Sequence, residues 1–261
     1  MRKIFFLIIV FITIGLSSCS IYEDITFKQN GQTDYNLTID ASELVVFLSG
    51  NNENLMNSIP SDTIISFDEI IKQEVEHENI AEDRDKELNA LRRMKMKIKI
   101  ESSEEDEILK MKISGDFNDV SEMNTALAFI EKTNNEKVNN ANESDTDNES
   151  EENIITEKKS GDILEILSNI VFSSHFAWDG KNMQRTVDEK SLAQKGRSTD
   201  KATKKIMDHG KYTVRYHFEK KIKKISNPNA QLSEDGKSVT IEYTPAAFYD
   251  TSDALNIEIE L

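Results

Sequence analysis

Apolar and polar residues alternate strictly through "RMKMKIKIE". Met94, Met96, Ile98 and Ile100 share one face, and Arg93, Lys95, Lys97 and Lys99 share the other. Period two marks a half-buried strand, because successive side chains point to opposite sides of a sheet. After Ser102-Ser103-Glu104-Glu105-Asp106 the phase resumes with Leu109, Met111, Ile113 and Phe117, leaving Lys110 and Lys112 outward. The pattern predicts an antiparallel hairpin with one buried face.

The same alternation recurs along the chain. Ile25 and Phe27 lead into Gln29-Asn30-Gly31-Gln32, and Tyr35, Leu37 and Ile39 return, with Asn-Gly supplying the turn. Phe172, Phe176 and Trp178 run up to Asp179-Gly180, with Met183, Arg185 and Val187 beyond it. Tyr212, Val214, Tyr216 and Phe218 make a strand that Ile222 and Ile225 extend. Leu232, the turn at 233 to 236, then Val239, Ile241 and Tyr243 make a further hairpin. Leu255, Ile257, Ile259 and Leu261 alternate to the last residue, so the chain is expected to end inside a sheet.

Helical spacing interrupts these strands. Asp40 or Ser42 caps a helix through about Ser49. Ser66 or Asp68 caps a longer one, "FDEIIKQEVEHENIAEDRDKELNAL", with Ile70, Ile71 and Val75 as a narrow apolar stripe and a charged second half. A third runs from about Ser121 to Lys132, with Met123, Leu127 and Ile130 inward. "DILEILSNI" is a short fourth, and "SLAQKGRSTDKATKKIMDHG" reads as part loop, part helix. The order predicts an α+β fold with antiparallel sheets. Residues 134–159 hold few apolar groups, no aromatic and many acids, which predicts a disordered insertion between a first half, 19–133, and a mostly β second half, 160–261.

The start of the chain follows another logic. Arg2 and Lys3 precede the apolar run 4–16, "IFFLIIVFITIGL", and the small Ser17 and Ser18 follow. That is the order of a secretory signal, and the run is too short for a span of about 20 residues. Cys19 comes next, and it is the single cysteine of 261 residues. Leu16-Ser17-Ser18-Cys19 resembles the lipobox of bacterial lipoproteins. The resemblance implies diacylglycerol on the Cys19 thiol, removal of residues 1–18, and acylation, as by palmitate, of the new amine. Several acyl chains hold a protein stably on a membrane, since each buried CH₂ contributes about 0.8 kcal/mol. Glu23 and Asp24, close behind, resemble the surface-export signal of Bacteroidetes lipoproteins, and Ser20 is not the aspartate that retains such proteins at the inner membrane. The resemblance implies an outer-membrane location. "EDITFKQNGQTDYNLTIDAS", "MKMKIKI…LKMKISGDFNDVSEMNTAL" and "VRYHFEKKIKKISNPNAQLSEDGKSVTIEY" resemble uncharacterised Bacteroidetes lipoproteins. The last stretch is distantly similar to the LppM-like domain, which often has Phe-Pro where this chain has Phe218-Glu219. The family implies no catalytic residues and no cofactor.

Charge narrows the partners. The net charge is −16, and losing residues 1–18 removes two bases and no acid, leaving −18. That excludes general nucleic-acid binding, which needs a basic surface. Val187 to Ile225 runs the other way, with twelve Lys or Arg against five acids. Lys95, Lys97, Lys99, Lys110 and Lys112 crowd one face of the hairpin, so that face must be hydrated or met by acids. A solvated face is the default. The sharper alternative adds Lys220, Lys221, Lys223 and Lys224 and meets anionic lipid headgroups.

Candidate chemistry is sparse. No nucleophile elbow, phosphate loop or dinucleotide fingerprint occurs. Four histidines are present, His77, His175, His209 and His217, and convergence with Asp179 or Asp208 would hold zinc, but none has helix or loop ligand spacing, so no metal site is expected. "DTDNE", 145–149, lacks the glycine and glutamate of a calcium loop. Trp178, Tyr212, Tyr216 and Tyr249 read as core rather than as glycan-stacking rings. Asp62-Thr63-Ile64 fits a short O-glycosylation pattern in an exposed loop before a helix. The resulting expectation is a lipid-anchored, non-enzymatic binding or assembly module with anchor, spacer and stable domain, whose protein or glycan partner is not legible. Alternatives are an amphiphile- or glycolipid-binding domain with Met94, Met96 and Met111 lining a cavity, and a lipid-anchored hydrolase.

Overall fold

A computed structural model describes residues 20–42, 63–69, 91–92, 95–103, 105–141, 174–187, 210–244 and 255–261, with 131–141 as backbone alone. Twelve strands and one long helix are described, an α+β fold. In chain order they are β1 (Ser20–Phe27), β2 (Thr33–Asp40), β3 (Thr63–Ser66), β4 (Lys97–Ser103), β5 (Ile108–Phe117), α1 (Val120–Ala141), β6 (Ser174–Trp178), β7 (Asn182–Val187), β8 (Lys211–Phe218), β9 (Lys224–Ile225), β10 (Gln231–Leu232), β11 (Ser238–Tyr243) and β12 (Ile257–Glu260).

The strands form two sheets. The larger has the order β10-β11-β8-β1-β2-β5-β4-β3, the smaller β6-β7-β12-β9. Their inner faces pack together as a sandwich. Phe27 of β1 meets Phe176 and Trp178 of the small sheet with ring centroids 6.4 and 5.6 Å apart, and it stacks on Phe218 at 5.6 Å. Most inward phases read from the sequence are buried: Met96, Ile98 and Ile100; Met111, Ile113 and Phe117; Tyr35, Leu37 and Ile39; Ile257, Ile259 and Leu261. Leu109, Trp178, Ile222, Ile225 and Tyr243 are only partly buried, and Leu232, on the two-residue edge strand β10, is exposed. Met94, Phe172 and Tyr249 lie outside the described residues.

The tight turns sit where the sequence placed them. Asn30-Gly31, Asp179-Gly180 and Gly236 turn the chain with glycine φ of 91°, 87° and 71°, values that a Cβ would oppose. Ser66 caps the next helical turn with Glu69 in a reciprocal pair, since the Ser66 amide donates to Glu69 Oε2 at 2.7 Å and the Glu69 amide to Ser66 Oγ at 3.3 Å. Residues 70–90 of that predicted helix lie outside the described residues.

Five expectations change. The large sheet is mixed rather than antiparallel, because β1 pairs with β8 in parallel, Ile21 against Tyr212 and Phe27 against Phe218. A parallel pair needs a long crossover, and some 180 residues of chain supply it. Ile225 does not extend β8. The chain bends after Phe218, and β9 joins β12 of the small sheet. Thr63 lies in strand β3 opposite Ile100, half-buried, and not in an exposed loop. The Ser121–Lys132 helix continues to Ala141, so residues 134–141 are helical and not disordered. The rest of that insertion, 142–159, including 145–149, lies outside the described residues. Finally, β1 opens at Ser20, leaving no spacer between Cys19 and the sheet.

Candidate functional site

The candidate site is the start of β1, next to Cys19. Cys19 itself, with residues 1–18, lies outside the described residues. Ser20 is already in the ladder, opposite Asp40 of β2 and Lys211 of β8. Ile21 is fully buried between Ile39 and Tyr212. The strand thus passes from a covalently modifiable residue to the sandwich core within two positions.

What holds this strand is not only apolar. The inward phase of β1 runs Ile21, Glu23, Ile25, Phe27, so a carboxylate faces the core, 3% exposed. The inward phase of β7 runs Met183, Arg185, Val187, and Arg185 is 1% exposed. The two meet across the sheets, with Arg185 Nη1 donating to Glu23 Oε2 at 2.7 Å. Tyr35 donates its hydroxyl to Glu23 Oε1 at 2.9 Å, and Tyr212 donates to Oε2. The guanidinium also donates to Tyr216 at 3.1 Å, to Tyr212 at 3.2 Å and, through Nε, to Ser174 Oγ at 2.9 Å. It lies 5.2 Å from the centroid of the Phe176 ring, a cation–π contact.

Such a network is costly to bury and costly to break. Desolvating two charges offsets much of their attraction, and the geometry closes only when the remaining donors and acceptors are satisfied. Here both carboxylate oxygens and all three guanidinium nitrogens are engaged. Burial pushes the Tyr35 hydroxyl well above the usual tyrosine range, with the charge of Glu23 adding to it. Burial likewise raises Tyr212 and Tyr216. Burial alone would weaken Arg185 as a base, but Glu23 and Tyr212 hold its guanidinium well above its ordinary value.

The other face of β1 is gripped by a second, wetter cluster. Asp24 Oδ1 accepts from Arg215 Nη1 at 3.2 Å and lies 3.3 Å from His217 Nε2. His217 Nδ1 is 2.9 Å from Ser238 Oγ. The His217 hydrogen bond, followed by the charges of Arg215, His217 and Lys112, outweighs partial burial and holds the Asp24 carboxyl below its ordinary value. At the Ser20 level, Asp40 accepts from the Ser42 hydroxyl at 2.6 Å and pairs with Lys110 at 3.2 Å, while Lys211 pairs with Glu242 at 2.6 Å.

In the folded domain Glu23 is in the core, and Asp24 is tied to Arg215 and His217. The signal that would have found the pair was in plain view: Glu23 and Arg185 each occupy an apolar phase, and their charges are opposite. The lysine face is met by acids where they are near. Lys99 sits directly opposite Lys112, but Lys99 also pairs with Glu101 and Lys110 with Asp40. Tyr212 and Tyr216 are buried as expected, though their hydroxyls serve Arg185. Trp178 is partly buried, with Nε1 donating to the Lys28 carbonyl at 3.0 Å. His175 is exposed on β6, apart from the His217 cluster, and His77, His209 and Asp208 lie outside the described residues. Asp179 serves its own turn, accepting from the Asn182 side chain and from the Asn182 and Lys181 amides, which hold its carboxyl down to about 2. Among the described residues no cluster of three or more potential ligands could hold a metal.

One groove lies beside the start of α1 and the β1–β2 turn, and another lies against β2, β4 and β5. One, about 720 Å³, is lined by polar groups including Lys28, Asp34, Lys95, Asp119 and Glu122. The other, about 500 Å³, is edged by Met96 but otherwise mainly by Asn36, Ser66, Lys97, Ser114 and Asp116. Met96 and Met111 themselves pack into the core.

No protein family and no curated protein matches the chain. Among solved structures, the NMR structure of the folded domain of Mycobacterium tuberculosis LppM is similar at 7% identity and a TM-score of 0.37, covering 92% of this chain and 87% of that one. A likeness that distant carries no functional argument. Among the described residues no helix is long and apolar enough to cross a membrane.

Proposed function

We propose that the chain is a lipid-anchored protein of the bacterial envelope, held through Cys19 in the outer membrane, whose domain is a non-enzymatic binding or assembly module. The observation that carries this reading is the position of β1. Its first residue follows the lipobox cysteine directly, and the strand is clamped on both faces, by Arg185 within and by Arg215 and His217 without. An anchor loads the residue it is bonded to, and a central strand fixed by a buried ion pair transmits that load into the whole sandwich.

The amphiphile-holding alternative gains nothing from Met96 and Met111, which pack in the core beside polar grooves. A lipid-anchored hydrolase gains nothing from Glu23, Asp24 and Asp40, which are tied to Arg185, to Arg215 and His217, and to Lys110, nor from Asp179, which serves its own turn. Mass spectrometry of the N-terminal peptide tests the proposal. The expected peptide begins at Cys19 and carries diacylglycerol and an amide-linked acyl chain. A mature protein that retains residues 1–18, or a free Cys19 thiol, refutes it. Cys19→Ser is expected to leave the domain folded while abolishing lipidation.

A further inference from the structure

We infer that the domain stands end-on on its membrane, with the Ser20 end of the sandwich against the lipid headgroups and the glycine-turn end pointing away. The inference rests on Cys19 carrying the lipid.

The tether is the first argument. Ser20 is paired on both sides, and Ile21 is fully buried, so no free residue separates the modified cysteine from the sheet. Neighbouring Cα atoms are about 3.8 Å apart. Acyl chains seated in hydrocarbon bring Cys19 to the headgroup layer, and the groups at the level of Ser20 come with it. These are Asp40, Lys110, Lys211 and Glu242.

The place of β1 in the sheet is the second. Three strands lie to one side and four to the other. At about 4.8 Å per strand the edge reaches roughly 10 Å over β8 and β11, since β10 pairs only at the level of Asp24 and Ile25, and roughly 19 Å over β2 to β3. A short tether at the middle of a broad edge resists rocking, because either flank meets the bilayer.

Topology adds a third. The chain leaves the described body after Ser42 and returns at Thr63, leaves after Val187 and returns at Gly210, and leaves after Thr244 and returns at Leu255. Of these points, Thr63 shares the level of Ile21 through Ile100, Met111 and Ile39, and Tyr243, beside Thr244, pairs with Tyr212, which lies opposite Ile21, whereas the chain also leaves after Glu69, beyond Ser66 at the level of Asp24. The turns of Gly31, Gly180 and Gly236 close the opposite end, about 23 Å away by strand rise over seven residues.

Charge says what kind of surface fits. At the Ser20 end Lys110 and Lys211 are already paired with acids. The β4–β5 turn extends past that level and exposes Glu105, Asp106 and Glu107. On the outer face Lys99 and Lys112 lie at the level of Tyr22, Lys99 also pairing with Glu101, and Lys97 lies midway at the level of Asp24, while Lys220 and Lys221 follow the far end of β8. The contact is therefore held by the anchor and needs no anionic lipid.

Depth measurements on the full lipidated protein in phosphatidylcholine vesicles test this. Nitroxides are placed one at a time at exposed positions: Glu105→Cys and Thr244→Cys at the Ser20 end, Lys97→Cys on the outer face, Gln32→Cys and Glu234→Cys at the turn end. The expected order of proximity to the headgroups is Glu105 and Thr244 first, Lys97 intermediate, Gln32 and Glu234 farthest. Ten Gly-Ser residues inserted between Cys19 and Ser20 should erase that order. Equal depths without the insert, or Lys97 lying as close as Glu105, overturn the inference and mean that the sheet lies on its face or tumbles. Mass spectrometry of the same samples separates the two claims. A lipidated Cys19 with the wrong depths sinks the orientation alone, and a free thiol sinks the anchor and the orientation together.

Discussion

Removing the Arg185 guanidinium while leaving Glu23 in place is expected to be among the most damaging single changes in the core. Arg185→Met keeps the length and the apolar stem of the side chain, so little packing is lost. What is lost is the 2.7 Å contact to Glu23, the bonds to Tyr212, Tyr216 and Ser174, and the contact over Phe176. Glu23 then remains buried with only the Tyr35 and Tyr212 hydroxyls. Breaking a buried pair from one side costs about 3–5 kcal/mol. That is a large part of a typical domain stability of roughly 5–15 kcal/mol. For a domain of this size each kcal/mol moves Tm by about 2–4 °C, so a fall of roughly 6–20 °C is expected. Urea unfolding followed by tryptophan fluorescence reads the free energy, with Trp178 as the single reporter. Glu23→Leu alone should cost a similar amount. The double variant should cost clearly less than the sum, with a coupling of about 2 kcal/mol or more. Further Tyr→Phe changes at 35, 212 and 216 should recover stability, since each removes an orphaned hydroxyl worth about 1–3 kcal/mol. Arg215→Met is the control. Its pair with Asp24 is more than a third exposed, so a loss of about 0–1 kcal/mol is expected. An Arg185→Met variant within about 1 kcal/mol of the parent, with no coupling to Glu23, would refute the clamp.

Three further outcomes follow from the same contacts. Tyr35, Tyr212 and Tyr216 hold their protons above the ordinary value of 10.0, so stability is unaffected below that pH and is lost as pH rises beyond it, when the unfolded hydroxyls ionise and the folded ones do not. Absorbance at 295 nm should show these three titrating only together with unfolding, and their free titration near pH 10 in folded protein would contradict it. Gly115→Ala places a Cβ 2.7 Å from the buried ring of Phe117, so a loss of about 1–3 kcal/mol is expected, relieved in the Phe117→Leu background. Thr33 Oγ1 is buried without a hydrogen-bond partner among the described residues, so Thr33→Val should be neutral or stabilising by up to about 1 kcal/mol in thermal melts.

The sequence by itself determined which residues of each strand face inward. Burial in a sheet alternates residue by residue, and that period is written locally, so Met96 to Ile100, Tyr35 to Ile39 and Ile257 to Leu261 were legible without knowing any partner. The glycine turns were equally legible, because a positive φ selects its residue on the spot. Ser66 as a cap is also a local signal. Only the tertiary structure decided the order of the strands. Nothing in β1 announces that it lies parallel to β8, since edges offer the same backbone donors and acceptors to any neighbour. The turn of the chain from β8 to β9, into the other sheet, shows locally only as a change of phase: Ile222 keeps the even-numbered alternation of Tyr212 to Phe218 and Ile225 does not, but the new partner is not written there. The clamp lies between these cases. Glu23 and Arg185 each break an apolar phase, which marks them locally as buried charges. That each is the other's counter-ion depends on a contact across 162 positions of chain, which only the packed sandwich can supply.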